Sequence, residues 1–193
     1  MAMASDSIPG IYMDSTCFID MAKHAVGSLG TGREDDIWHL KKLLEAHRAG
    51  EIEVFTSVLT IAECQHTNGH DQNVRDLFRR LLSSGQYVIL VQPTVFIAEA
   101  ARDLRWIHDI TLKGPDSLHV ASALHVGCGE FLTRDGGPKK EADRAKLLQL
   151  GLVVSSPHQT KLLPDRYRQE DIVEHIQLIE EEKDRPPALE AGD

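Results

Sequence analysis

Along this chain, short continuous apolar runs alternate with stretches in which apolar residues recur at helical spacing. The run Ile11-Tyr12-Met13 predicts a strand at 10–14, followed by a short helix from Cys17 to Ala25 and a glycine-rich loop from Gly27 to Gly32. Ile37, Leu40, Leu43, Leu44 and His47 mark one face of the next helix. Glu34, Asp35 and Asp36 complement its dipole, Gly50 stops it, and most of its charge is expected on the solvated surface. Glu53 to Thr56 reads as a second strand, Val58 to His66 as a helix stopped by Asn68-Gly69, and Asp71 to Leu82 as another helix.

Tyr87 to Val91 is apolar throughout, as in a strand buried on both faces, and Pro93 opens a helix to about Ile107. Pro115 suits a first helical turn, and Leu118, Ala121 and Leu124 carry that helix to Val126, where Gly127 ends it. A strand at Glu130–Thr133, a helix at Lys140–Leu150 and a strand at Leu152–Ser155 complete the alternation. The fold class is therefore α/β, a single domain over 8–157 with a central parallel sheet flanked by helices on both faces. Residues 158–193 read as an acidic C-terminal extension, helical at Gln169–Glu182 and disordered from Asp184.

Composition narrows the class without naming a substrate. The 193 residues, 41% of them hydrophobic, suffice for one sizeable core. Net charge is −9, of which −5 falls after Pro157, where ten Asp or Glu face five Lys or Arg. A body this mildly acidic disfavours broad attraction to nucleic-acid backbones, but leaves room for a local basic strip or a bound cation. Cys17, Cys64 and Cys128 are odd in number and widely spaced, which points to a reducing compartment and a cytoplasmic protein. With no leader-like N-terminus and no membrane-length apolar run, the chain is expected to be soluble and unprocessed.

Candidate chemistry lies in four acids at element boundaries. Asp14 closes the first strand, Glu63 follows Val58-Leu59-Thr60-Ile61-Ala62, Asp116 stands just after Gly114-Pro115, and Asp135 follows Phe131-Leu132-Thr133. In an open parallel sheet, ligands bind beyond the carboxyl ends of the strands, where Asp14 and Asp135 would project. Asp116, in a first helical turn, is expected to stay ionised. Such a cluster of hard oxygen donors needs a cation, and Mg2+ or Mn2+ is the natural one, with metal-held water as nucleophile.

In this order and spacing the motifs resemble the PIN-domain nucleases, in particular VapC-type toxins. The carriers are Asp14-Ser15-Thr16, Leu59-Thr60-Ile61-Ala62-Glu63, Asp116-Ser117-Leu118-His119-Val120-Ala121-Ser122-Ala123, Phe131-Leu132-Thr133-Arg134-Asp135 and Leu150 to Pro157. The resemblance spans about residues 10–157. It implies a Mg2+- or Mn2+-dependent endoribonuclease with Asp14, Glu63, Asp116 and Asp135 as catalytic metal ligands. Thr16 and Thr133 fall at hydroxyl positions that orient a carboxylate or a metal-held water. An RNA substrate, an antitoxin protein and a homodimer are the partners to look for, with no membrane.

Arg134, Lys139 and Lys140, beside Asp135, are the candidate RNA-binding cations. In the family another acid often follows the fourth, whereas here Asp135 is followed by Gly136-Gly137-Pro138. That departure keeps open a non-catalytic module that holds RNA or protein. Glu63, His66 and His70 form a weaker transition-metal alternative, broken by Asn68-Gly69. His119 reads as a buried histidine bonded to backbone ahead of a general base, and Cys64 as an inert thiol. No phosphate-binding glycine motif occurs.

Overall fold

The computed structural model describes residues 8–65 and 72–168. Among these, five strands form one parallel sheet: β1 (Gly10–Met13), β2 (Glu53–Ser57), β3 (Ile89–Val91), β4 (Glu130–Leu132) and β5 (Val153–Ser155). Their order is β3-β2-β1-β4-β5. The chain moves outward from β1 to β3 and then crosses back to β4, so the direction of winding reverses between β1 and β4. Ligands bind at such a reversal in open parallel sheets.

Helices α1 (Ser15–Ala25), α2 (Glu34–Arg48), α3 (Val58–Glu63), α4 (Gln72–Phe78), α5 (Val95–Trp106), α6 (Gly114–His125) and α7 (Glu141–Gln149) connect the strands. The two-residue period of a strand divides its side chains between two cores. Ile11, Met13, Val54 and Leu132 join the cluster with α1 and α2, whereas Tyr12, Phe55 and Phe131 join the one with α5 and α6. Across β1 and β4, the Tyr12 and Phe131 rings stack at 5.4 Å, a pairing worth ~0.5–1.5 kcal/mol beyond burial.

Local signals explain the helix ends. Asp14 caps α1, Ser57 caps α3 through Leu59 N, and Thr94 caps α5 through Ile97 N. Gly50 and Gly127 turn the chain out of α2 and α6 at φ of 76° and 74°, a region that disfavours residues with a Cβ.

Several expectations need correction. The apolar run at 87–91 is not a doubly buried strand: β3 lies at the sheet edge, only Ile89–Val91 pair, and Ile89 is exposed. Apolarity here serves packing of Tyr87, Val88 and Leu90 on the α1/α2 core and of Val91 on the α5/α6 core, with Ile89 left to solvent. The helix after β2 ends at Glu63, where Cys64 leaves helical geometry. From Gln72 on, the segment expected as one helix to Leu82 is α4 running into a π-helical turn, Arg79–Ser83. His66, His70 and the expected helix at Gln169–Glu182 lie outside the described residues.

Nor does the chain leave the body at Pro157. Leu163 and Tyr167 are buried in the α1/α2 core, Glu130 accepts from Thr160 Oγ1 and Lys161 N, and Tyr167 donates to Glu51. Asp36 is an exception to the solvated charge expected of α2, buried at 2% exposure against Arg134 and His158.

Candidate active site

Two strand ends at the winding reversal place the best-ordered acid. Asp14 follows β1 and is buried, and its backbone N–H donates to Leu132 O of the neighbouring β4. Thr16 donates to its Oδ1 through both N (2.6 Å) and Oγ1 (2.5 Å), and Thr133 Oγ1 donates to Oδ2 at 2.5 Å. Burial raises the Asp14 pKa, and the Thr133 and Thr16 hydrogen bonds act against that rise.

The two threonines also tie Asp14 to the chain carrying Asp135. Thr16 Oγ1 accepts from Arg134 N at 2.9 Å, and Thr133 Oγ1 accepts from Asp135 N at 2.9 Å. Each hydroxyl thus donates to the carboxylate and accepts from the backbone after β4, fixing 133–135 against the end of β1. The Asp135 carboxylate in turn accepts from Gly137 N at 3.1 Å.

Asp116 approaches the same loop from the first turn of α6. A Cβ built on Gly137 would stand 2.9 Å from Asp116 Oδ2 and 3.9 Å from Asp135 Oδ1, so Gly137 lets both carboxylates sit against one backbone. The surroundings of Asp116 act against the ionisation that its helix position favours. Burial, followed by the charges of Asp135 and Asp14, raises its pKa. Burial is the larger cause, and the neighbouring carboxylates add to it, against the smaller opposing charges of His119 and Lys113.

Glu63 is held differently. His119, one turn along α6 from Asp116, places Nε2 2.8 Å from Glu63 Oε2 and Nδ1 2.8 Å from the Tyr12 hydroxyl. The histidine is buried as expected, but its partners are side chains rather than backbone. The His119 hydrogen bond is the largest influence on Glu63 and lowers its pKa, while burial drives Tyr12 upward so that it keeps its proton. One neutral tautomer satisfies both contacts, with Tyr12 O–H donating to Nδ1 and Nε2–H donating to Glu63. Neither Tyr12 nor this role for His119 was evident in the sequence. The signal was the i,i+3 spacing of Asp116 and His119 on one helix face.

The donor set is all hard oxygen, and the like charges around Asp116 are what a divalent cation would relieve. In spacing the site is open: among the described residues, no three His, Cys, Asp or Glu side chains converge closely enough to hold a metal ion. The acids fit such an ion in chemistry and charge, and their side chains do not close on a single point.

The PIN domain profile matches residues 11–144, more than half of the chain. The chain belongs to the PIN domain family. Members of this family are generally nucleases. Its fold resembles FitAB bound to an IR36 DNA fragment, with a TM-score of 0.51 and 18% identity over 78% of this chain and 97% of that one. It also matches FitAcB from Neisseria gonorrhoeae with a TM-score of 0.42 and 16% identity, over 78% and 99% of the respective chains. Among curated proteins none matches in sequence. No helix among the described residues is long and apolar enough to cross a membrane.

The basic residues of this PIN domain divide by role. Arg134 Nη1 lies 2.8 Å from Asp36 Oδ2, although neither that oxygen nor Arg134 Nε makes a well-directed hydrogen bond. The contact is ionic, and it turns the guanidinium toward α2. Lys139 donates to Ser156 Oγ at 3.2 Å, and burial, then the nearby Arg134 charge, lowers its pKa. Lys140 is exposed at the start of α7.

Proposed function

We propose that this PIN domain is a divalent-metal-dependent endoribonuclease that uses Asp14, Glu63, Asp116 and Asp135. The observation that carries the reading is the gathering of Asp116 and Asp135 against Gly137, on the loop that Thr133 ties to Asp14, at the winding reversal of the sheet. Mg2+ or Mn2+, when bound, supplies the positive charge that activates a phosphodiester toward hydrolysis. The protein's own groups set the geometry. Thr16 and Thr133 pin both Asp14 oxygens, His119 aims Glu63, and Gly137 admits Asp116 beside Asp135. Lys140 is the cation exposed to a phosphate backbone, with Lys139 behind it and Arg134 acting through the loop it anchors.

Incubation of the purified chain with labelled RNA and Mg2+ or Mn2+ tests the reading. Cleavage should vanish with chelator and in Asp14→Asn or Asp116→Asn, each still folded by circular dichroism. Equal rates in variants and wild type would remove these acids from the chemistry. The open spacing of the acids favours a second reading, a PIN module that holds RNA or protein without cutting. Calorimetry separates the two, since saturable Mn2+ binding lost in Glu63→Ala belongs to the enzyme and absence of binding to the module. An antitoxin partner and a cytoplasmic setting complete the proposal, the latter supported by three buried free thiols.

A further inference from the structure

One row of aromatic rings across the sheet faces the α5/α6 core. Tyr12 of β1 stands in register with Phe55 of β2 and with Phe131 of β4. Phenylalanine fills both flanking positions, so packing at this level asks only for a ring. The middle position alone carries a hydroxyl, and Tyr12 is fully buried. A buried hydroxyl needs a partner, and this one meets His119. The phenol oxygen lies 2.8 Å from Nδ1, with the two rings edge to face at 64°.

From His119 the contacts continue to Glu63, whose Oε2 lies 2.8 Å from Nε2. The chain of contacts joins β1, α6 and α3, and it ends on a carboxylate whose side chain keeps 30% of its exposure. Glu63 needs such a hold. It is the last residue of α3, a six-residue helix in which Thr60 is the buried residue, and Cys64 leaves helical geometry directly after it. The helix itself does little to choose a rotamer for that side chain. Ser57, which caps the other end of α3, also acts on the phenol through its hydroxyl, against the effect of burial.

The direction of donation follows from the protons available. Burial keeps the phenol protonated, so its O–H donates to Nδ1 and leaves Nε2 to carry the imidazole proton toward Glu63. With Nδ1 so occupied, the imidazole cannot turn about χ2 without giving up a buried hydrogen bond. A phenylalanine in place of Tyr12 would fill the same space and release that constraint.

We infer that Tyr12 is a positioning residue of the candidate site: its hydroxyl, acting through His119, holds the Glu63 carboxylate in place for a divalent cation. The inference takes from the nuclease reading only that Glu63 is a ligand, and the hydrogen-bond chain stands without the metal. Removing a group that orients a ligand typically costs about 10–100-fold in metal affinity, and Tyr12 acts one step further out. In calorimetry Tyr12→Phe should therefore raise the Mn2+ dissociation constant about 10-fold, with circular dichroism unchanged. His119→Leu should cost more. His119→Gln, which keeps an N–H donor for Glu63, should recover part of that loss. Adding Tyr12→Phe to His119→Gln should change nothing further, because the two residues act in series.

A second readout needs no metal. Imidazole nitrogen NMR of the metal-free chain should show His119 with a proton on Nε2 and none on Nδ1. Tyr12→Phe should shift the Nδ1 signal and speed exchange of the Nε2 proton with water. A proton on Nδ1 in the wild type, or signals indifferent to Tyr12→Phe, would overturn the inference, as would a Mn2+ affinity that survives Tyr12→Phe unchanged. If the wild type binds no Mn2+, it is the nuclease reading that falls, and the nitrogen signals still decide whether Tyr12 holds Glu63.

Discussion

Replacing Asp36 with alanine should unsettle the candidate site from a distance, and its cost can be worked out from the contacts. Asp36 is 2% exposed, with Oδ1 accepting from His158 N at 3.0 Å and facing His158 Nδ1 at 2.7 Å, while Oδ2 faces Arg134 Nη1 at 2.8 Å. Removing one member of a fully buried ion pair costs about 3–5 kcal/mol, because the other charge is left without a partner. Here the Arg134 and His158 side chains keep 25% and 41% of their exposure, so water takes up part of the loss. We expect ~2–3 kcal/mol, below that range for lack of full burial.

For a chain of this size, Tm changes by roughly 2–4 °C per kcal/mol, so Asp36→Ala should melt roughly 4–12 °C lower. Calorimetry of Asp36→Ala, Arg134→Met and the double variant isolates the pair, because contacting residues should be non-additive by about 0.5–3 kcal/mol. RNA cleavage should fall as well, since Arg134 N also holds Thr16. Additive single effects, or a Tm within ~2 °C of wild type, a shift of under about 1 kcal/mol, would refute the idea that Asp36 anchors the loop.

Gly137→Ala should lower cleavage with little change in Tm, because its Cβ would displace the Asp116 carboxylate, whose oxygen lies 2.9 Å away, rather than any backbone; unchanged kinetics would refute this. Thr133→Val should cost about 1–3 kcal/mol in denaturant titration, since it strips a donor from Asp14 and leaves Asp135 N unpaired. Asp116 predicts the sign of a pH effect in chelator. A carboxyl whose folded pKa is raised above its unfolded value favours folding most below the unfolded pKa, and that contribution fades as pH rises through the folded one. At neutral pH the metal-free Asp116→Asn variant should therefore melt higher than wild type while losing cleavage, and a lower Tm at neutral pH would contradict the argument from burial and repulsion.

Much of the fold was legible because strand and helix periods differ. Ile11-Tyr12-Met13 and Phe131-Leu132 are continuous apolar runs because each strand feeds two cores, and that same doubling betrays a parallel sheet covered on both faces. The run at 87–91 misled for the converse reason. Apolarity reports burial but not position in the sheet, and β3 at an edge satisfies Tyr87 by packing outside the ladder. The end of α3 was also illegible, because Cys64 leaves helical geometry without a glycine or proline to announce it.

In the candidate site, strand-end logic pointed to Asp14 and Asp135, while the polar ties that orient them were only partly visible. Thr16 and Thr133 lie within two residues of the acids they serve, so local sequence suffices to suspect them. Asp36 lies 98 positions from Arg134, and Tyr12 lies 107 from His119; only tertiary packing brings such partners together. The consequence reaches the substrate surface. Adjacency to Asp135 suggested three RNA-binding cations, yet a buried carboxylate on α2 draws Arg134 inward and makes it an anchor for the loop that carries the acid. Charge next to a site in sequence thus becomes charge facing the substrate only when no buried opposite charge competes for it, and in this chain Lys140 is the exposed one of the three.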